Sequence, residues 1–450
     1  MKKIVILGAG ESGTGAALLA QAKGLEVFVS DAGGIATPYQ EELVAHNIAF
    51  EERKHSHDKI LSADEVVKSP GIPDSAPIIQ VIQKAKIPII AEIELASRYT
   101  QAFLIGITGT NGKTTTTYLT YHLLQKAGLN VDMAGNVGTS FARKVLENKH
   151  DYYVLELSNF QLEGMHTCKL DIACLLNITP DHLDRYQGQL MPYIQAKFRI
   201  LKNMTAREHC IYNRADPNIR THMQQDTVLP CQHPVATQPC NVWATDALSL
   251  LAASNFKLQG DHNRLNALVS IKIARLLAVD EKKIQAGLAT FPGVPHRIEW
   301  VTEIGKINFY NDSKATNVAA TYAALMSFAQ PIIWIAGGQD KGNDYTALQH
   351  LAKKRVKAMI CFGKDNTKIR QAFQQVVAPI HETQQMEEVV AIALSLAKPK
   401  DVVLFSPACA SFDLFKNFEE RGDCFKQAMR QAPINQRINS QLPQCVKLAK

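Results

Sequence analysis

Residues 103–117 read Phe103-Leu-Ile-Gly-Ile-Thr108 and then Gly109-Thr-Asn-Gly-Lys-Thr-Thr-Thr-Thr117. An apolar strand feeds a glycine loop, and the loop feeds a helix. Such a loop aims several backbone N–H groups at one spot, and the helix N-terminus adds partial positive charge. Lys113 supplies a full charge for the β- and γ-phosphates of a nucleotide, and the Thr114 hydroxyl can ligate Mg²⁺. The strict eight-residue pattern is absent, because Ile107 rather than Gly lies five before Gly112. The shorter Gly109-x-x-Gly112-Lys113-Thr114 form is present, and it predicts a nucleotide-phosphate user.

Outward from that loop, the other apolar runs repeat the strand–helix alternation. Lys3-Ile-Val-Ile-Leu7 leads into Gly8-Ala-Gly10-Glu-Ser-Gly13, a helix over 14–23, and the strand Glu26-Val-Phe-Val-Ser30 ending at Asp31. Close glycines followed by an acid at the end of the second strand form the dinucleotide-type βαβ opening. A second set has strands at 152–157 and 172–177 around the phosphate loop, then a helix over 260–277. A third set has strands at 307–310, 332–336, 358–362 and 402–405. The fold class expected is α/β in three domains. They are an N-terminal Rossmann-like domain over 1–92, a central P-loop ATPase-like parallel sheet over 93–293, and a C-terminal Rossmann-like domain over 294–450 with a short tail. The Pro-, Gln- and Thr-rich stretch 216–242 predicts short strands and loops.

The chain has 450 residues, which suits about two to four domains at the usual domain size. Its 46% apolar and 20% charged residues are ordinary for a globular protein. The net charge of +7 has no Lys or Arg run behind it, so it fits anionic small substrates. Aromatics at 7% show no basic interleaving, and nucleic acid is not an expected partner. Nine cysteines without a C-x-x-C argue against a zinc site or disulfide framework, and they suit a reducing cytoplasm. No apolar stretch approaches the roughly 18–20 residues of a membrane span.

Several polar residues stand where open α/β sheets bind ligands. Glu156 ends one strand and can hold Mg²⁺ opposite Thr114. His182 follows another strand end; a lone histidine there is more often structural. Lys197 lies on an apolar helix face, where snorkelling is its ordinary explanation. Asn263 and Asn266 share a helix face and suit adenine, or else Asn263 caps the helix. Polar loops follow three strands of the last domain: Asn311–Asn317, Gly337–Gly342 and Ser406–Asp413. Together they imply one shared crevice.

These motifs resemble the Mur ligases of peptidoglycan synthesis over nearly the whole chain. The resemblance rests on Gly109-Thr-Asn-Gly-Lys-Thr114, Leu155-Glu-Leu-Ser-Asn-Phe-Gln-Leu162, Asn177-Ile-Thr-Pro-Asp-His-Leu-Asp-Arg-Tyr186 and Gly260-Asp-His-Asn-Arg-Leu-Asn-Ala267. In the last domain it rests on His296-Arg-Ile-Glu299, Asn311-Asp-Ser-Lys-Ala-Thr-Asn317 and Ser406-Pro-Ala-Cys-Ala-Ser-Phe-Asp413. Within the family, Asn111, the Gly8-x-Gly10-x-Ser-Gly13 loop, the Ser69-Pro-Gly-Ile72 turn and Phe412–Gly422 are similar to the D-glutamate-adding branch.

The resemblance implies an ATP-dependent cytoplasmic ligase of cell-wall synthesis and cell division, acting as a monomer. Its small-molecule substrates would be UDP-N-acetylmuramoyl-L-alanine and D-glutamate, joined through an acyl phosphate. Another step, such as L-alanine addition to UDP-N-acetylmuramate, is the nearest alternative. The implied catalytic residues are Lys113, His182, Lys197 and Lys314. Nucleotide contacts fall to Gly109, Thr110, Asn111, Gly112, Lys113, Thr114, Thr115, Asn263, Asn266, Arg297 and Asp312. Two Mg²⁺ ions fall to Thr114, Glu156, His182 and a carbamylated Lys197. On the muramoyl substrate the resemblance places Ser12, Asp31, Ser69 and Asn136. On D-glutamate it places Thr316 and Lys341 at one carboxylate, and Ser411 with the Phe418 backbone at the other. The loop Asp31-Ala32-Gly33 departs from the family's usual uridine loop, which moves weight onto Ser12 and the backbone of residues 11–13. A nicotinamide dehydrogenase would leave the phosphate loop without a role. A non-catalytic ATP-binding module would not need Lys113, Glu156, His182, Lys197 and Lys341 together.

Overall fold

Apolar runs bounded by glycines form the interior strands, and alternate residues of each run enter cores on opposite faces of a sheet. In β1 (Lys3–Leu7), Ile4 and Ile6 pack into one core while Val5 and Leu7 pack into another. That double burial is why the run shows no polar alternation. Each such side chain withdrawn from water contributes ~1.5–3 kcal/mol. A computed structural model describes residues 1–224, 230–237, 242–254, 256, 258, 260–340 and 342–432.

β1 is followed by β2 (Glu26–Ser30), β3 (Ala49–Glu51), β4 (Glu65–Lys68) and β5 (Ile89–Ile90), in a parallel sheet ordered β3-β2-β1-β4-β5. The order reverses beside β1, which puts the Gly8–Gly13 loop at the switch point, where such sheets bind ligands. A second parallel sheet comprises β6 (Phe103–Thr108), β7 (Val131–Gly135), β8 (Tyr152–Glu156), β9 (Ile172–Leu175), β10 (His209–Asn213) and β11 (Cys231–Val235). Its order is β11-β10-β9-β6-β8-β7, so the phosphate loop leaves an interior strand flanked by β8 and β9.

The third sheet comprises β12 (Glu299–Ile304), β13 (Ile307–Asn311), β14 (Ile332–Gly337), β15 (Val356–Phe362), β16 (Ile380–Thr383) and β17 (Val402–Ala408). Its order is β12-β13-β17-β14-β15-β16, parallel apart from the antiparallel β12–β13 pair.

By packing, the chain forms two units, Met1–Phe291 and Pro292–Lys450. The first unit holds two sheets, and side chains tie them together near residue 92. Glu94 accepts from the N–H groups of His166, Thr167 and Cys168 at 2.9, 3.0 and 2.9 Å. Arg185 donates to the carbonyls of Pro70 and Gly71 at 3.2 and 2.8 Å, and Glu11 accepts from the Ser140 N–H at 2.9 Å. The stretch expected to hold only short strands and loops contains a helix, Pro217–Met223. Asp216 caps it by accepting from the Ile219 N–H at 3.0 Å, and Pro217 suits the first turn, where its missing N–H costs nothing. Lys341 and residues 433–450, which include most of the expected tail, lie outside the described residues.

Candidate active site

The phosphate loop turns on Gly112, which has φ +84° and precedes the helix Lys113–Lys126. A Cβ there would be strained, and it would also lie 2.6 Å from Asn266 Oδ1. The expected adenine amide therefore packs directly on the loop. Asn266 is buried on the helix Asp261–Leu276, and its Nδ2 donates to Asn263 Oδ1 at 3.3 Å. The two amides meet as their i, i+3 spacing predicts. The capping alternative for Asn263 fails, because the cap position is Gly260.

The loop is held from the neighbouring strand. Asn177, just past β9, accepts from the Asn111 N–H at 2.8 Å and donates back to the Asn111 carbonyl at 2.9 Å. Its own carbonyl accepts from the Thr110 N–H at 2.8 Å. The Thr110 hydroxyl donates to the Thr179 carbonyl and pairs with the Tyr193 hydroxyl, each at 3.0 Å. Thr114 is half-buried and Thr115 buried in the first helical turn.

Lys113 and Lys197 converge on the same backbone oxygen. Lys113 Nζ donates to the carbonyls of Gly109 and Thr110, both at 2.8 Å. Lys197 Nζ donates to the Gly109 carbonyl at 3.0 Å and lies 4.7 Å from the Tyr193 ring centroid. Lys197 is 1% exposed, so the snorkelling explanation does not apply. Burial pushes its amine down to about 7; the Lys113 charge acts in the same direction, and Asp181 opposes both.

Glu156 ends β8, in register with Ile107 of β6, which places its carboxyl group beside the root of the loop. It is 3% exposed. Asn136 donates to it from its amide side chain at 2.8 Å, and the Asn136 N–H donates to the Glu156 carbonyl at 2.8 Å. Glu156 Oε2 is buried without a hydrogen-bond partner. A hard anionic oxygen left in that state suits a cation such as Mg²⁺. His182 adopts φ +50° and is exposed, with Nε2 3.6 Å from Asp181 and its ring edge-on to Phe160.

At the switch point of the first sheet, Asp31 accepts from the N–H groups of Ala9 at 2.7 Å and Gly33 at 2.8 Å. The carboxylate thereby braces both loops of the expected uridine pocket. Ser69 closes on the turn: its hydroxyl donates to the Gly8 carbonyl at 3.4 Å. Ser12 sits half-buried in the first turn of the helix Glu11–Ala22. Gly13 is needed because a Cβ would fall 1.8 Å from the Gly8 carbonyl oxygen.

In the second unit the three polar loops follow adjacent strands β13, β17 and β14. Arg421, 1% exposed, joins two of them. It donates to the Ser313 hydroxyl and carbonyl at 3.0 and 2.8 Å and to the carbonyls of Cys409 and Ala410 at 3.2 Å each. The third loop joins through the Gln339 N–H, which donates to the Ala410 carbonyl at 2.9 Å. Ser411 is buried, Thr316 half-buried, and the Phe418 carbonyl accepts from the Ser313 hydroxyl at 2.8 Å. Lys314 Nζ lies 5.5 Å from the Phe418 ring centroid.

Arg297 is exposed. Asp312 is buried, accepting from the Ser406 hydroxyl at 2.7 Å and the Ile298 N–H at 3.1 Å; burial pushes it up to about 7. Each Asp312 oxygen already accepts one hydrogen bond, so a ribose hydroxyl would share an oxygen with Ile298 or Ser406. Sequence reasoning assigned no role to Asn177, Tyr193 or Arg421. All three lie within or near the quoted motifs, but their partners are distant in the chain.

A phosphate loop on an interior strand of a parallel sheet, with open α/β sheets before and after it in the chain, defines a class of multidomain nucleotide-binding α/β proteins. Residues 2–91 match the Mur ligase MurD-like N-terminal domain, 107–274 the Mur ligase middle domain, and 296–409 the Mur ligase glutamate ligase domain. The chain belongs to the Mur ligase family. It is 46% identical over 443 residues to the UDP-N-acetylmuramoylalanine–D-glutamate ligase of Bacteroides fragilis, covering 96% of this chain and 100% of that protein. It is also 46% identical over 441 residues to the protein of the same name from Christiangramia forsetii, covering 95% and 99%. The solved UDP-N-acetylmuramate-alanine ligase of Thermotoga maritima shares the fold, with a TM-score of 0.58 at 17% identity over 96% of this chain and 100% of that one. Among the described residues, no helix is long and apolar enough to cross a membrane.

Proposed function

We propose that the chain is an ATP-dependent ligase that joins D-glutamate to UDP-N-acetylmuramoyl-L-alanine in peptidoglycan precursor synthesis. The observation that carries this reading is the near-full-length identity of 46% to ligases of that name. We keep the domain division 1–92, 93–293 and 294–450, with the muramoyl nucleotide, ATP and D-glutamate assigned to them in that order. We place the enzyme in the cytoplasm as a monomer.

The terminal L-alanine carboxylate attacks the γ-phosphorus of ATP, the bond to the β–γ bridging oxygen breaks, and ADP leaves. The D-glutamate amine then adds to the acyl carbon. The tetrahedral adduct expels phosphate, the nitrogen gives up a proton, and an amide remains. Such transfers depend on positioning and charge neutralisation. Lys113 exchanges its loop carbonyls for γ-phosphate oxygens, and the N–H groups of Gly112–Thr115 take the phosphates, while those of Thr110 and Asn111 stay bonded to Asn177 and shape the loop around them. Asn263 and Asn266 face adenine, Arg297 the phosphates and Asp312 the ribose. Ser12, Asp31, Ser69 and Asn136 hold the muramoyl nucleotide. Thr316, Lys341, Ser411 and the Phe418 backbone hold D-glutamate, with Lys314 beside the reacting groups.

Two Mg²⁺ ions, one held by Thr114 and Glu156 and the other by His182 and carbamylated Lys197, would neutralise the phosphate charge. The partnerless Glu156 Oε2 supports the first set. The lowered Lys197 pKa supports the second: a neutral amine adds to CO₂, loses a proton and becomes an anionic carbamate.

The test is phosphate release with a panel of acceptors and amino acids. Release should require ATP, Mg²⁺, UDP-N-acetylmuramoyl-L-alanine and D-glutamate together. Equal turnover with UDP-N-acetylmuramate and L-alanine would overturn the assignment.

A further inference from the structure

Among the described residues, one group of side chains away from the phosphate loop gathers metal-binding donors with no part in the proposed reaction. β10 and β11 run parallel, with His209 opposite Cys231 and Ile211 opposite His233. Cys231 and His233 are two apart on one strand, so both project from the same face. His209 Nδ1 and His233 Nε2 lie 3.0 Å apart, and donor atoms of His209, Cys231 and His233 all fall within 4.8 Å of one another. Cys231 is exposed and both imidazoles are half-buried, so an ion can enter from solvent.

We propose that His209, Cys231 and His233 form a binding site for a borderline transition-metal ion of the Zn²⁺ or Co²⁺ type. A tetrahedral ion with bonds of about 2.0–2.1 Å to nitrogen and about 2.3 Å to sulfur sets its ligand atoms roughly 3.3–3.6 Å apart. The three donors already lie within 4.8 Å of one another, so that spacing asks for shifts of about 1 Å. Two nitrogens and one sulfur are soft for Mg²⁺ and suited to zinc-like ions, so this site and the Glu156 carboxylate select different metals. Three protein ligands leave a fourth position to water or an outside group. Binding costs the His209–His233 hydrogen bond and sets the ion near the Lys272 cation, which acts electrostatically on both His233 and Cys231.

The position suggests what the ion does. Among the described residues, β11 pairs with β10 alone and is the sheet's edge. An ion shared by the two strands would clamp that edge. The ligands come from paired strands rather than from one short motif, so a search for C-x-x-C cannot detect them.

The experiment is a Co²⁺ titration of the reduced, metal-free full chain, read by absorption. One equivalent should produce a thiolate-to-cobalt charge-transfer band that Zn²⁺ removes and excess Mg²⁺ does not. Cys231→Ser should lose the band. His233→Ala and His209→Ala should each weaken Co²⁺ by more than the roughly 10–100-fold that even an outer-sphere partner contributes. Thermal melts of the metal-free variants check that they fold. A band that survives in Cys231→Ser, or Co²⁺ binding with no thiolate band in the parent chain, would overturn the proposal.

Discussion

Lys113 and Lys197 donate to one oxygen: their Nζ atoms lie 2.8 and 3.0 Å from the Gly109 carbonyl. Two ammonium groups on one acceptor repel, and the more buried amine yields its proton more readily. Lys197→Ala should therefore abolish turnover, and a short carboxylic acid in solution should restore part of it by standing in for the carbamate. Lys197→Arg keeps a cation and should stay inactive. Turnover by Lys197→Arg would mean that a positive charge suffices there.

Lys113 acts on charge that builds up in phosphoryl transfer. Lys113→Ala should lower kcat by roughly 10²–10³-fold or more. A variant with near-normal kcat and only a raised KM for ATP would place Lys113 in ground-state binding instead.

Asn177 braces the phosphate loop through paired bonds to the Asn111 backbone. It touches no reacting group in the scheme above, so it is a positioning residue. Asn177→Ala should lower kcat by about 10–100-fold, as a small misplacement of reacting groups does. Its Tm should stay within a few degrees of the parent, since a half-buried side chain is removed. Asn177→Asp keeps the acceptor and loses the donor, and should fall between the two. An unchanged kcat in Asn177→Ala would show that the loop needs no brace from β9.

The pH dependence of stability has an identifiable source in Glu92. It is 3% exposed, accepts from the Ala142 N–H, and leaves Oε2 buried without a partner. Burial, aided by the nearby Glu11 charge, pushes it up to about 8 from 4.5. Below pH 4.5 both folded and unfolded states hold the proton, so Glu92 adds no pH dependence. Between about 4.5 and 8 the unfolded state releases it first and folding loses stability; above 8 the penalty is constant. Glu92→Gln should match the parent near pH 4 and exceed it by a few kcal/mol at pH 8–9, with the gain growing between. Urea unfolding at three pH values measures this, and a gain independent of pH would contradict it.

Interior β10, with polar His209 and Asn213 at its ends, went unread, but the other interior strands were legible because burial on both faces writes a continuous apolar run, as in Val402-Val-Leu-Phe405. The edge strands were not. β11 reads Cys-Gln-His-Pro-Val and β16 reads Ile-His-Glu-Thr, with one side open and little apolar signal. The phosphate loop was legible because its chemistry is local: φ at Gly112 and the charge of Lys113 are set within six residues. Lys197 was ambiguous from its helix alone, because its acceptor, the Gly109 carbonyl, lies 88 residues away in the chain. The same holds for Asn177 and Arg421, whose partners are set by strand order rather than by neighbouring sequence.

The proposed reaction routes phosphate through an acyl phosphate made on the muramoyl substrate. It is tested most directly with UDP-N-acetylmuramoyl-L-alanine carrying ¹⁸O in its terminal carboxylate, followed by mass analysis of the phosphate released with D-glutamate. The attacking carboxylate oxygen becomes the bridge to phosphorus and departs with it, so each phosphate should carry one substrate oxygen. Phosphate free of label, formed at the same rate as the amide, would contradict the account.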